Sequence, residues 1–149
     1  MSSKHFNRKG EAVMVDISHK RPVKRRAVAA AVVRMKRKTA SMIRRRLVPK
    51  GDALAVARVA GIMAAKKTGE LIPLCHPIGI ESVGISFETG ANMVRITSEA
   101  ACTEKTGIEM EALTAVAVAA LAIYDMCKGV DPDMRIESIR LLSKTKEMV

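Results

Sequence analysis

Residues 105–129 read KTGIEMEALTAVAVAALAIYDMCKG, and their Ala- and Val-rich centre predicts a buried helix that runs to about Lys128. A second Ala-rich stretch, residues 50–77, reads KGDALAVARVAGIMAAKKTGELIPLCHP and predicts a well-buried helix over roughly residues 53–67. Buried helices normally carry charge on a solvated face only. Here ionisable residues instead gather at helix ends and beside rigid loops, which is typical of a catalytic site. They are Lys50, His76, Glu109, Glu111, Asp125 and Lys128.

The ends of both helices carry their own signals. Asp52 is a natural N-cap for the first helix, and Gly69 follows that helix as a stop. Thr106 and Glu109, three residues apart, match a capping box and predict the start of the second helix. Gly129 is expected to end that helix.

Alternating apolar residues predict strands on either side of these helices. Residues 83–87 and 94–96 alternate around a turn at residues 90–92, which predicts a hairpin. Residues 134–142 predict a last strand, and the short apolar stretch 12–17 predicts a first one. Hairpins combined with long helices indicate an α+β fold, with helices packed on an antiparallel sheet.

The secondary structure of residues 26–35 is ambiguous from propensity alone. Residues 26–35 are rich in Ala, which favours helix, but also in Val, which tolerates strand. Residues 38–47 predict a short helix that ends before Pro49. The element order is therefore ββααββαβ, or βαααββαβ if residues 26–35 are helical. We expect a mobile basic tail at residues 1–10 and a single domain over residues 11–149.

Charge is divided unevenly along the chain. The net charge is +11, but residues 1–50 hold 16 Lys/Arg against two acids and carry +14, whereas the other 99 residues carry −3. A basic half suggests a polyanionic partner: nucleic acid, a membrane surface or a small phosphorylated substrate. With 2% aromatic residues, the chain lacks the stacking platforms of single-strand and RNA readers. A duplex-binding module using residues 20–46 remains the rival hypothesis.

Cysteine content and hydropathy indicate the cellular compartment in which the protein is expected. Cys75, Cys102 and Cys127 are odd in number and show no CxxC spacing, so neither a disulfide framework nor a zinc or other metal site is expected. No run reaches the roughly 18 apolar residues of a membrane span, and the first 12 residues lack the apolar segment of a secretory signal. We therefore expect reduced thiols, a cytoplasmic protein and no membrane partner.

Helix geometry constrains any site built from the second helix. Glu111 and Asp125 are 14 positions apart, which puts them within about 40° of each other around the axis but roughly 21 Å apart along it. They cannot both reach one small reacting centre from the same copy of the helix. Either one of them is structural, or the site joins parts of two protomers. Lys128 can pair with Asp125 at i,i+3 spacing.

Each candidate also has a structural explanation. Lys50 precedes a helix N-terminus, where it could clamp phosphate or donate a proton, or be one more exposed lysine. His76 could shuttle protons near neutral pH or simply be a hydrogen-bonded loop histidine. Glu109 is accounted for by the capping box, but Glu111 is not. His5 and His19 are expected to be surface residues.

Three motifs carry a resemblance to a known family: LIPLCHP at residues 71–77, KTGIEMEALTA at 105–115 and IYDMCK at 123–128. They resemble the molybdenum cofactor biosynthesis protein C family, the cyclic pyranopterin monophosphate synthases. The similarity also covers residues 10–18 and 50–68, and extends over about residues 10–144. Three long motifs in the same order are far more specific than one short pattern.

The resemblance implies a fold, an assembly and a reaction. It implies a ferredoxin-like α+β domain in which residues 26–35 are strand, and a homohexamer, a trimer of dimers with interfacial sites. The reaction would be that of a lyase of molybdenum cofactor biosynthesis, converting 3′,8-cyclo-7,8-dihydroguanosine 5′-triphosphate to cyclic pyranopterin monophosphate and pyrophosphate. A radical enzyme acting on GTP would supply this substrate. No cofactor is implied, and magnesium would enter only with the triphosphate.

The resemblance also implies roles for individual residues. Lys50, Lys128 and Asp125 match the family's catalytic positions, and His76 suits acid–base chemistry. The implied substrate-binding positions are Leu74, Cys75, His76, Met110 and Glu111, with Glu109 beside them. A basic position that is usually Arg in the family is occupied by Lys24 here, which keeps the charge but loses bidentate phosphate recognition. Which of Lys24, Arg25 and Arg26 meets phosphate is left open. A catalytically silent homologue is not favoured, because every motif acid and base that can be matched is present.

Overall fold

The computed structural model describes residues 4–148 of the chain. Within them, four strands form one antiparallel sheet in the spatial order β2-β3-β1-β4. The strands are β1 (Val23–Arg34), β2 (Ser82–Thr89), β3 (Met93–Glu104) and β4 (Arg135–Glu147). The helices are α1 (Arg37–Arg44), α2 (Ala53–Lys66), α3 (Thr68–Leu71) and α4 (Glu109–Cys127). This order and topology are those of a ferredoxin-like α+β fold, as predicted.

The ambiguous Ala/Val segment is strand β1, at the centre of the sheet. It pairs along its length with β3 on one side and with β4 on the other. Ala27, Ala29 and Ala31 are fully buried on one face of β1. Tertiary pairing therefore overrides the helix preference of alanine, and the small side chains leave room for α4 to pack against the strand.

Helices α2 and α4 pack against each other at the sheet, and glycine permits their close approach. A Cβ at Gly61 of α2 would lie 2.8 Å from the carbonyl oxygen of Ala115 in α4. Helix α2 is less buried than its composition predicts, because Val56, Val59 and Met63 are 45–58% exposed. An apolar stripe on α2 is therefore left uncovered within one copy of the chain.

Several local predictions are corrected. Residues 12–17 do not form a strand, since Ala12 makes only an isolated bridge to Phe6. Gly69 does not end the helical structure, because it lies in the short helix α3, which follows α2 directly. The capping box at Thr106 is not formed, because α4 begins at Glu109 itself, after Ile108, without a side-chain cap.

Other local predictions are confirmed. The Asp52 carboxylate accepts a hydrogen bond from the Ala55 amide at 3.0 Å and caps α2. The hairpin is present as β2 and β3, and the predicted short helix is α1, although α1 ends at Arg44, well before Pro49. Strands β3 and β4 extend beyond their predicted ends, because pairing with β1 continues past the alternating apolar residues.

The N-terminal segment carries local hydrogen bonds. Phe6 bridges Ala12, and the Asn7 side chain accepts from the amides of Lys9 and Glu11. Residues 1–3 of the predicted tail lie outside the described residues, and the mobility of the tail stays a prediction.

Helix α4 is long and apolar enough to cross a membrane by length and composition, with a mean hydropathy of 1.6. Half of its most apolar window is buried inside the protein, where it packs on α2, β1 and β3. Its composition is that expected of a central core helix.

Candidate functional site

Three charged side chains meet at the C-terminal end of α4, and we call them the lysine–aspartate cluster: Lys50, Asp125 and Lys128. The Lys128 ammonium lies 2.8 Å from one Asp125 carboxylate oxygen, and the Lys50 ammonium lies 3.2 Å from the other. The Lys50 ammonium also donates to the main-chain carbonyl of Asp125 at 3.0 Å. All three side chains are about half exposed. One carboxylate thus holds two ammonium groups at an accessible surface.

The cluster shifts the pKa values of Asp125 and Lys128. Hydrogen bonds from Lys128 and Lys50 hold the pKa of Asp125 below its usual value. The same hydrogen bond to Asp125 raises the pKa of Lys128. Asp125 is therefore anionic and Lys128 cationic at neutral pH, so that Lys128 is suited to stabilise developing negative charge.

A cavity of about 370 Å³ lies at the opposite, N-terminal end of α4, and we call it the acid–histidine cavity. It brings together the loop after α3, the start of α4 and the segment that precedes β1. Its lining residues are His5, Val15, Ile17, Lys20, Leu74, Cys75, His76, Thr106, Gly107, Glu109, Met110 and Glu111. All six residues of the LCHP and EME motifs that are predicted to bind substrate are therefore neighbours in space.

Glu111 is the most unusual residue of this cavity. It is 3% exposed, and its Oε2 atom has no hydrogen-bond partner among the described residues. Burial, together with the nearby Glu109 charge, raises its pKa. A buried carboxyl group without a partner is costly unless it is protonated or meets a donor, so Glu111 is poised to hold a proton or to receive an N–H group of a ligand.

His76 and Cys75 line the same cavity as Glu111 but offer different chemistry. The Nε2 atom of His76 lies 2.7 Å from the carbonyl oxygen of Val15. Because a carbonyl only accepts, Nε2 carries the hydrogen, and in the neutral ring Nδ1 is an acceptor. Burial, and then the charge of Glu111, raise the pKa of the Cys75 thiol, so it is protonated at neutral pH and unsuited to be a nucleophile.

A second cavity of about 360 Å³, which we call the basic cavity, adjoins the first. The two share Gly107 and Glu109 in their linings. The other lining residues are Arg25, Arg26, Ile108, Lys144, Thr145 and Lys146. Four cationic side chains therefore surround a space that opens beside the N-terminus of α4, an arrangement suited to a phosphorylated group.

Glu109 stands between the two cavities. The Lys144 ammonium donates to its Oε1 atom at 2.8 Å. Burial alone would raise the pKa of Glu109, but the hydrogen bond from Lys144 and the other contacts outweigh burial and lower it. Glu109 is thus anionic whereas Glu111, two residues further on, is shifted towards the protonated form.

Sequence reasoning missed part of this site. Lys24 is exposed on β1 and lines neither cavity, whereas its neighbour Arg25 lines the basic cavity and donates to the Glu104 carbonyl at 2.9 Å. The alternation of β1 puts Arg25 on the same face as buried Ala27 and Ala29, next to α4, and that signal was usable once β1 was known to be a strand. Lys144 and Lys146 come from the far end of the chain and carried no local signal.

The lysine–aspartate cluster and the acid–histidine cavity lie at opposite ends of one continuous helix, α4. The rise of an α-helix separates Glu111 from Asp125 by roughly 21 Å along the axis. A single copy of the chain therefore does not bring the two groups to one reacting centre. Within residues 4–148, no group of three or more His, Cys, Asp and Glu residues is arranged to hold a metal ion.

Fold and site together define a ferredoxin-like α+β protein with adjoining acid–base and cationic cavities, suited to a small phosphorylated molecule. The chain belongs to the MoaC family, whose model matches residues 14–147. It is 56% identical over 142 residues to the cyclic pyranopterin monophosphate synthase of Listeria monocytogenes, covering 95% of this chain and 89% of the relative. It is 52% identical to that of Pelobacter propionicus, covering 97% and 91%. It is 51% identical to cyclic pyranopterin monophosphate synthase 2 of Mycobacterium bovis, covering 94% and 84%.

Proposed function

We propose that this protein is a lyase of molybdenum cofactor biosynthesis, a cyclic pyranopterin monophosphate synthase. Its substrate is 3′,8-cyclo-7,8-dihydroguanosine 5′-triphosphate, and its products are cyclic pyranopterin monophosphate and pyrophosphate. The observation that carries the proposal is the pairing of one Asp125 carboxylate with the ammonium groups of Lys50 and Lys128. It occurs in a chain more than half identical to proteins of that name.

The base of the substrate fits the acid–histidine cavity. Opening the imidazole ring of the purine and rebuilding it as a pterin requires protons to be delivered and removed at several atoms. The Nε2–H of His76 bonds the Val15 carbonyl, so His76 can accept a proton at Nδ1 and return it, and Glu111 can hold or release a proton in a buried setting. Leu74 and Met110 add partly exposed apolar surface for a flat ring.

The triphosphate fits the basic cavity. In forming the cyclic phosphate, a ribose hydroxyl loses its proton to a general base while its oxygen attacks the α-phosphorus, the bond to the bridging oxygen breaks, and pyrophosphate leaves with the electron pair. Arg25, Lys144 and Lys146 supply cationic groups that neutralise the departing charge. Magnesium, where present, would accompany the triphosphate as part of the substrate.

A second copy of the chain supplies the lysine–aspartate cluster to each cavity. The two ends of α4 lie roughly 21 Å apart, so one copy of the chain cannot bring both to the same substrate. The uncovered apolar stripe on α2, Val56, Val59 and Met63, supports it, as does Leu121 of α4, which is 57% exposed. Such surface is typical of an interface between subunits. We propose a homohexamer, a trimer of dimers, that works in the cytoplasm downstream of the radical GTP cyclase.

The activity is tested by incubating the purified protein with the cyclised dihydro-GTP intermediate. Released pyrophosphate and the fluorescent oxidised pterin are measured together. The proposal expects the two products in equal amounts. A folded protein that forms neither product would contradict it, and duplex binding by residues 20–46 would then be measured at low salt.

A further inference from the structure

The segment that precedes β1 forms one wall of the acid–histidine cavity. His5, Val15, Ile17 and Lys20 all come from it. Two hydrogen bonds tie this segment to the other walls. The Val15 carbonyl accepts from His76, and the Ser18 carbonyl accepts from the Lys105 ammonium at 3.1 Å. The cavity is therefore incomplete without the segment before β1, and its His5 comes from residues that composition alone assigns to a basic tail.

A local turn holds His5 at this wall. The Val13 amide donates to the His5 carbonyl at 2.9 Å, next to the Phe6–Ala12 bridge. Asn7 closes the turn through its side chain, and Gly10 adopts a φ of +79°, a left-handed conformation that glycine reaches without strain. The backbone of His5 is thereby fixed relative to Val15, which itself bonds His76.

We propose that His5 is a further substrate-binding residue, whose imidazole hydrogen-bonds the polar edge of the purine-derived ring. This inference rests on the function proposed above. A neutral imidazole offers one donor and one acceptor, and a guanine-derived ring presents both N–H and carbonyl groups. His5 and His76 then approach the base from two different walls of one cavity.

The test compares four variants in the full-length protein by steady-state kinetics: His5→Ala, His5→Leu, His5→Gln and His19→Ala. Leucine keeps bulk without a hydrogen bond, and glutamine keeps a hydrogen-bonding group of similar reach. His19 is the matched control, exposed on the same segment but absent from the cavity lining. We expect the Ala and Leu variants to raise KM about tenfold, with kcat changed less, which is the effect of about one lost hydrogen bond. His5→Gln should stay within about threefold of wild type, and His19→Ala should be unchanged.

Rescue by leucine instead of glutamine would overturn the inference, because it would show that His5 only fills space. Equal KM values for His5→Ala and His19→Ala would overturn it as well. Thermal unfolding of each variant separates lost binding from lost folding. Failure of the proposed function is distinguishable, since the wild type would then form no product, whereas failure of this inference leaves wild-type turnover intact.

Discussion

The two ends of α4 place carboxylates in opposite situations. Asp125 is exposed and bonded to two ammonium groups, which lower its pKa, whereas Glu111 is buried with one oxygen unpartnered, and burial raises its pKa. Ion pairing thus lowers the pKa of one carboxyl group of α4, and burial raises the pKa of the other. One end offers fixed charge and ammonium donors, and the other offers a carboxyl group that burial shifts towards the protonated form.

The largest effect should come from breaking the lysine–aspartate cluster. Lys50→Ala or Lys128→Ala should lower kcat/KM by on the order of 10²–10⁴, because each removes a charged group that acts in proton transfer or charge stabilisation. Lys38→Ala, at an exposed position on α1 outside both cavities, is the matched control and should retain activity. Full turnover by both cluster variants, measured as pyrophosphate release, would remove the cluster from the mechanism.

If the two ends of α4 work together only across a subunit interface, inactive variants should complement each other. Lys128→Ala and His76→Ala, each inactive alone, should regain activity when mixed, unfolded and refolded together. In a random mixture roughly a quarter of the sites would carry both wild-type parts, which sets the expected recovery.

The control for complementation mixes Lys50→Ala with Lys128→Ala. Both changes lie in the same cluster, so their mixtures should stay inactive. No recovery in the first mixture, despite oligomers of mixed composition, would mean that the two ends do not share a site.

Asp131 anchors the chain just beyond the cluster and should matter for stability. It is 1% exposed, and its carboxylate accepts from the Lys36 amide at 2.8 Å and from the Thr39 hydroxyl at 2.9 Å. Asp131→Ala leaves these donors without their partner and should lower the free energy of unfolding by about 2 kcal/mol, measured in urea. Asp133→Ala is the control, because that side chain is 82% exposed, and it should change stability little. Equal effects at both positions would contradict the anchoring role.

The opposite pKa shifts predict opposite pH dependence of stability. Because the pKa of Glu111 is raised above 4.5 on folding, wild type loses stability as the pH rises from 4.5 through that raised value. Glu111→Gln removes this loss, so it should become more stable than wild type as the pH increases.

Asp125 contributes stability above pH 3.8 that is lost as the pH falls through its lowered pKa. Asp125→Asn should therefore be less stable than wild type at neutral pH and approach it in acid.

Urea unfolding at about pH 3 and pH 7 measures both differences. Glu70→Gln, an exposed carboxylate on α3, is the matched control. If Glu111→Gln and Asp125→Asn shifted stability in the same direction with pH, the contrast between the two ends of α4 would be wrong.

Local signals predicted those parts of the fold that depend on neighbouring residues. The Asp52 cap, the β2–β3 hairpin and the C-terminal end of α4 follow from short-range chemistry, and all were predictable. The capping box at Thr106 is not formed, because α4 begins at Glu109, and the Glu109 carboxylate accepts instead from Lys144, a residue 35 positions away. Strand β1 depended on its partners β3 and β4, so propensity could not assign it.

The sequence by itself determined the helices of the site and the residue types at their ends, because caps, turns and apolar periodicity are local. It also determined that Glu111 and Asp125 lie about 21 Å apart, since helix rise is constant. Only the tertiary structure decided that His5 and Lys20 share a cavity with Glu111, and that Arg25 and Lys144 line one cavity beside α4. Which side chains come together depends on how distant segments of the chain pack and pair. Local sequence patterns do not contain that information.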